Sequence, residues 1–241
     1  MKVLYLITAR GGSKSVPGKN LRQVNGISLV GFKAISARRS KNCSRLIIST
    51  DSAEIQADAH TYGVEVPFTR PAELATDTAT SIDVVAHAME WIETNTDEHY
   101  DAVMLLEPSS PLTRSFDYDN AIAIMEEFDA NVVVGVKETE INSVFAGPMD
   151  EQGRITEIVN QINGLENLRR QDVAQEYTMN GGLYLFRWDF FKKHRKIYHD
   201  PDKTFGYVMD RHYSIEIDQP IDLEWVEFLV ANGHVDMSHW Q

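Results

Sequence analysis

The run Lys2 to Thr8 (KVLYLIT) is apolar at nearly every position. A strand with one face in water alternates apolar and polar residues. One that is apolar throughout is buried on both faces, as in a parallel sheet covered by helices. The pattern recurs along the chain. Arg45 to Thr50 (RLIIST), Asp101 to Leu106 (DAVMLL) and Asn131 to Val136 (NVVVGV) read as further strands, with a short extended piece at Glu65 to Phe68 halted by Pro67 and Pro71. Between them lie stretches of helical period. Leu29 to Ala37 is one, and Ser52 is the expected N-cap of another reaching about His60. In Thr80 to Thr94, Ile82, Val85, Ala86, Met89 and Ile92 fall on one stripe. The alternation predicts an α/β fold of βαβ units, with a mostly parallel sheet and helices on both faces.

From Lys137 to about Tyr177 that rhythm breaks. The stretch is polar and carries turn signals at Gly147-Pro148 and Glu151-Gln152-Gly153. It is expected to leave the sheet as a hairpin arm at about 138–177, within one domain spanning 1–241. Gly182 to Arg187 resumes as a strand, His212 to Asp218 is expected as the last one, and Pro220 to Asn232 as a closing amphipathic helix.

No apolar run approaches the roughly 20 residues that span a bilayer. The first residues turn polar too soon for a signal peptide, and the single Cys43 fits a reducing compartment. The expectation is a cytoplasmic protein without a membrane partner. A formal charge of −13 argues against binding nucleic acid, which demands a basic surface. It leaves room for a small anion held by a local cluster of cations.

Such a cluster follows the first strand directly: Ala9-Arg10-Gly11-Gly12-Ser13-Lys14-Ser15-Val16-Pro17-Gly18-Lys19-Asn20. In open α/β sheets ligands sit beyond the carboxyl ends of strands. Glycines let backbone N–H groups approach an anion. Arg10, Lys14 and Lys19 bring positive charge and Ser13 a hydroxyl, so the loop can surround a polyphosphate. It is neither a Walker A loop nor a G-x-G-x-x-G fingerprint. A second constellation is Ser214-Ile215-Glu216-Ile217-Asp218. On a strand Glu216 and Asp218 would share a face, an arrangement that suits Mg²⁺, which takes one or two carboxylates plus phosphate oxygens. The plainer reading is an edge strand with two solvated acids; the phosphate loop favours the metal. No spacing suits zinc, and no G-x-S-x-G setting suits a hydrolase.

The run I-T-A-R-G-G-S-K-S-V-P-G-K-N-L resembles the opening signature of the acylneuraminate cytidylyltransferases, the CMP-sialic acid synthetase family. Further segments match in order: Thr69-Arg70-Pro71 with Glu73-Leu74-Ala75 and Asp77, Leu105 to Leu112, Arg170-Gln171, Asn180 to Tyr184, and Ser214 to Asp222. The resemblance covers nearly the whole chain. It implies a three-layer α/β/α fold with a protruding dimerisation arm, hence a homodimer, and transfer of CMP from CTP to an acidic 2-keto sugar with Mg²⁺ as cofactor. It also implies residue roles. Arg10, Gly11, Ser13, Lys14 and Lys19 would hold the triphosphate, Lys19 stabilising charge on the α-phosphate, with Arg10 and Asp218 sharing the catalytic work. Asn20 would bond the ribose, Arg70 read the cytosine edge, and Thr80 and Ser81 contact base and ribose; simple N-capping is the alternative for the last two. Glu107, Arg170 and Asn180 would face the sugar, and Glu216 and Asp218 the metal. Arg170 equally suits a dimer contact, or a solvated charge pair with Arg169.

Two residues depart from the family pattern. Glu107 stands where the family normally has Gln, which removes two donors and adds repulsion toward a carboxylate substrate; a metal ligand or a solvated loop residue is the alternative. Glu216 stands where Asp is usual. The choice of sugar acid stays open, with a nine-carbon acid of the bacterial surface-glycan type expected. Two rivals remain: a nucleotidyltransferase using another nucleotide, disfavoured by the lack of a G-x-G-T-R loop, and a non-catalytic nucleotide-binding member.

Overall fold

The computed structural model describes residues 1–165 and 174–241. In β1 (Val3–Thr8), Val3, Tyr5 and Ile7 point to one face and Leu4 and Leu6 to the other, and all five are fully buried. A two-stranded hairpin of β2 (Gln23–Val24) and β3 (Ile27–Ser28) follows. Then come α1 (Leu29–Arg39), β4 (Cys43–Ser49) and α2 (Ala53–Thr61), capped as expected by the Ser52 side chain. The chain continues through α3 (Ser81–Asn95), β5 (Ala102–Leu106), α4 (Ser115–Glu127) and β6 (Val132–Glu138). It leaves the sheet after Glu138, forms the short helix α5 (Thr156–Asn163), and rejoins at β7 (Tyr177–Arg187). The helix α6 (Trp188–His194), β8 (Thr204–Val208) and α7 (Pro220–Ala231) complete the order.

The main sheet runs β4-β1-β5-β7-β6-β8. Every pairing is parallel except the two made by β7, which is antiparallel to β5 and β6. On one face Val30, Ala34, Ile55 and Ile122 of α1, α2 and α4 pack on Tyr5, Ile7, Met104 and Leu185. On the other, Val85, Met89, Ile92 and Phe191 of α3 and α6 pack on Leu4, Leu6, Val103 and Phe186. Helices on both faces of a mostly parallel sheet make three α/β/α layers, as the unbroken apolar runs imply. Burying each such Leu, Ile or Phe side chain stabilises by about 1.5–3 kcal/mol. A third cluster joins α7 (Leu223, Val226, Leu229) to Phe32, Leu112, Ile217 and Trp240, and so anchors residues near 217 beneath the strand ends.

One expectation is overturned. His212 to Asp218 is no strand: Arg211–Tyr213 is a turn of 3₁₀ helix and the residues after it pair with no ladder. Ile217 is buried while Glu216 and Asp218 are exposed, so the alternation is real. It arises because Ile217 plugs into the third cluster and its N–H bonds the Ser109 carbonyl at 2.7 Å. The missing sheet edge is supplied by β8. With Thr204 and Gly206 among its five residues, it lacks the apolar run of a central strand.

Candidate active site

The carboxyl ends of β1 and β5 lie side by side, with β4 leaving on one side of β1 and β5 on the other. That divergence is where a doubly wound sheet opens a crevice. Here it is a cleft of about 530 Å³ lined by Arg10, Ser13, Lys14, Lys19, Asn20, Arg70, Thr80, Ser81, Glu107 and Asp218, among others. A larger cavity of about 720 Å³ lies at the opposite ends of the strands, between Tyr100, Asp101, Asn131, Arg187, His194 and His199. It has none of the cations that follow β1, so the smaller cleft is the candidate site.

The loop after β1 is held open by its own contacts. Gly18 has φ of 65°, a left-handed conformation that glycine adopts without strain, and it turns the chain into the 3₁₀ turn Lys19–Leu21. The amide of Asn20 donates to the Arg10 carbonyl at 2.9 Å, bracing the loop across its width. The Gly11 N–H is taken by the Asp51 carboxylate at 2.9 Å, so that glycine supports the loop through Asp51. Asp77 pairs with Arg10 at 2.9 Å and Lys14 at 2.5 Å, and these bonds, Lys14 first, hold its carboxyl below the usual range. The Lys19 ammonium donates to the Ile217 carbonyl at 2.8 Å and lies 3.9 Å from Asp218. The loop after β1 and the Glu216–Asp218 segment therefore meet at Lys19.

Arg70 is 6% exposed; its guanidinium donates to the Ser49 hydroxyl at 3.0 Å and the Ser49 carbonyl at 2.6 Å. Burial brings its pKa down to about 10, with Asp51 opposing and Arg10 assisting. Thr80 is the N-cap of α3, its hydroxyl accepting from the Asp83 N–H at 3.2 Å. The capping alternative is thus realised at Thr80, although the residue also lines the cleft. Thr80→Ala is expected to cost about 1 kcal/mol of stability; an unchanged urea midpoint would contradict the cap. Ser81 reaches Glu107 at 3.4 Å.

Glu107 follows β5 directly. Burial first, and then Glu216, raise its pKa, while Lys33, Ser81 and Lys19 oppose the shift. Glu216 is raised by partial burial and then by Asp218. Its carboxylate lies over Gly181, at φ of 62°, where a Cβ would come within 2.8 Å of the Glu216 oxygen. Asn180 is 1% exposed; its amide donates to the Ser214 hydroxyl at 3.1 Å and its oxygen accepts from the Gly182 N–H at 3.0 Å. Its side chain is taken up by the wall itself. Arg170 lies outside the described residues. Among those residues no group of three or more His, Cys, Asp or Glu is arranged to hold a metal.

Two lysines of this region escape a reading of the sequence. Lys137 reaches the Ser214 carbonyl at 3.4 Å and opposes the rise in the Glu216 pKa. Lys33 is fully buried behind the Glu107 side of the cleft. Its signal was a single charge inside the apolar stripe of α1, among Leu29, Val30, Phe32, Ala34 and Ala37.

A three-layer sheet with a cation-lined cleft at its strand-order reversal defines a nucleotide-handling α/β protein. The family model described as Cytidylyltransferase matches residues 4–229. The chain is 32% identical over 235 residues to the Post-translational flagellin modification protein B of Campylobacter coli, covering 97% of each chain. It is 30% identical over 230 residues to the CMP-N,N'-diacetyllegionaminic acid synthase of Legionella pneumophila, covering 95% of this chain and 97% of that one. Its fold is shared with a CMP:2-keto-3-deoxy-manno-octonic acid synthetase solved with CTP, at a TM-score of 0.67 and 16% identity, covering 97% of this chain and 100% of that one. The chain belongs to the cytidylyltransferase family and is a nucleotidyltransferase.

Proposed function

We propose that the chain transfers CMP from CTP to the anomeric hydroxyl of an acidic nine-carbon 2-keto sugar of the legionaminic or sialic type, releasing pyrophosphate. The observation that carries this reading is the meeting of Lys19 with Ile217 and Asp218 in the cleft, which joins a triphosphate loop to a carboxylate pair. The similarity to a CMP-N,N'-diacetyllegionaminic acid synthase along nearly its whole length supports the choice of sugar class.

Arg10, Ser13, Lys14 and Lys19 hold the triphosphate, with Gly11 shaping the loop. To admit it, Arg10 and Lys14 exchange part of their pairing with Asp77 for phosphate oxygens. Asn20 lies against the ribose, Arg70 presents its remaining donors to the cytosine edge, and Thr80 and Ser81 close that side. The anomeric oxygen of the sugar attacks the α-phosphorus in line. A phosphorus–oxygen bond forms, the bond to the β-phosphate breaks, and the hydroxyl proton passes to an acceptor in the cleft, where Asp77, Glu107 and Asp218 are the lining carboxylates. No covalent enzyme intermediate is needed, so positioning and electrostatics carry the catalysis. Lys19, oriented by the Ile217 carbonyl, meets the charge developing on the phosphate.

Glu216 and Asp218, both exposed beside that lysine, fit Mg²⁺ bound jointly with the triphosphate better than a preformed cage, since two carboxylates leave positions for phosphate oxygens and water. When bound there the ion neutralises phosphate charge. The exposed apolar residues Ile141, Met149, Ile155 and Val159 between β6 and β7 support a homodimer through that excursion. A CTP-dependent reaction on a soluble sugar suits the cytoplasm, and no helix among the described residues is long and apolar enough to cross a membrane.

Incubation with CTP radiolabelled at the α-phosphorus should move the label into a CMP-sugar with one acid of a 2-keto panel. Label found only in CTP or free CMP would contradict the reaction. Arg70→Met is expected to raise the CTP KM roughly ten- to a hundredfold through loss of charged hydrogen bonds. An unchanged KM for CTP would remove Arg70 from base recognition.

A further inference from the structure

Lys33 is 0% exposed, and its ammonium donates to the Thr113 hydroxyl and the Gly182 carbonyl, each at 2.8 Å. The Tyr118 ring lies 6.0 Å from it. Among the described residues it forms no ion pair, and a buried charge without a counter-charge is strongly unfavourable. Burial accordingly pulls its pKa down to about 7, while Glu107, Asp117 and Glu216, in that order, hold it up. Asp117 is buried and engaged by Arg114 and the Tyr207 hydroxyl, so its charge is already matched. Glu107 lines the cleft wall, and the Glu216 carboxylate lies against Gly181.

The bonding places Lys33 directly behind that wall. Gly182, whose carbonyl it binds, follows Gly181, the residue facing the Glu216 carboxylate and the Ser110 hydroxyl. Thr113 closes the loop that opens with Glu107, and its hydroxyl also reaches the Gly182 carbonyl at 3.1 Å. One amine thus ties the Glu107 loop to β7 and sets a positive charge behind both acids. Across a low-dielectric layer such a charge acts beyond direct contact.

We infer that Lys33 is a specificity-determining positioning residue: a buried cation that balances Glu107, so that an anionic sugar can bring its own carboxylate up to the side of the cleft where Glu107 stands. The inference rests on the proposed sugar-acid reaction and deepens it. An amide at position 107 would need no such balance; a carboxylate does, and Lys33 supplies it.

The test is a double-mutant cycle on the full chain with Lys33→Met, Glu107→Gln and the double variant. Lys33→Met keeps the length and removes the charge. It is expected to raise the sugar-acid KM roughly tenfold or more, as when one of two coupled buried charges is truncated. The CTP KM should change little. Glu107→Gln added to it should recover most of the loss, which a merely space-filling Lys33 would not allow. Glu107→Gln alone should lower the acid KM, and this arm stands even if Lys33→Met does not fold. Strict additivity, or an acid KM unmoved by both single variants, overturns the inference. Urea unfolding of the same four proteins reads the coupling without any turnover: non-additive midpoints support the balance and additive ones refute it. Failure of the wild type to use any acid would sink the proposed reaction, while the unfolding cycle would still decide the pairing.

Discussion

Lys19→Ala is expected to lower kcat roughly 10²-fold or more, the usual cost of removing a donor that acts on transition-state charge. The side chain is 16% exposed, and its ammonium is fixed by the Ile217 carbonyl and drawn toward Asp218. A cation fixed in this way needs no reorganisation as negative charge shifts onto the phosphate. Arg10 and Lys14 remain in the variant, so the CTP KM should rise less than kcat falls. Loss of the bond to Ile217 should cost only about 1 kcal/mol of stability, so the melting curve stays cooperative. Steady-state pyrophosphate release checks the first point and circular dichroism the second. Near-normal turnover would leave Lys19 a strut for the Ser214–Asp218 segment and nothing more.

Asp218→Ala is expected to be as damaging, with kcat/KM falling roughly 10²-fold or more at fixed Mg²⁺, because metal charge stabilisation is worth several kcal/mol. With Glu216 as the remaining acid, higher Mg²⁺ should recover part of the rate. Asp218 raises the Glu216 pKa, so its removal also leaves Glu216 more readily ionised, favouring that recovery. The Mg²⁺ concentration for half-maximal rate should therefore move upward. A loss of rate with an unmoved Mg²⁺ dependence would separate Asp218 from the metal and leave it acting on the substrate proton.

The central strands could be read from Lys2–Thr8 and Asp101–Leu106 because both faces are buried and nothing polar interrupts them. That Arg10, Lys14 and Lys19 would share one loop at a strand end was equally plain, because they follow the first strand directly, and all three line the cleft. What was hidden depended on contacts between distant residues. Glu216 and Asp218 mimic a strand because Ile217 is fixed by α7 and Ser109, partners that no local pattern announces. β8 lay hidden because an edge strand needs apolar residues on only part of its surface. Asn180 would face the sugar by the resemblance alone; the sequence does not show that its amide bonds Ser214 and its oxygen accepts from Gly182. Lys33 reads as one charge in a helix until packing sets it behind Glu107.

The most direct test is a matrix of the four ribonucleoside triphosphates against a panel of 2-keto sugar acids with Mg²⁺, scored by pyrophosphate release. Release is expected only where CTP meets a nine-carbon acid of the legionaminic or sialic type. Release driven by another nucleotide, or CTP binding with no release for any acid in the panel, would contradict it.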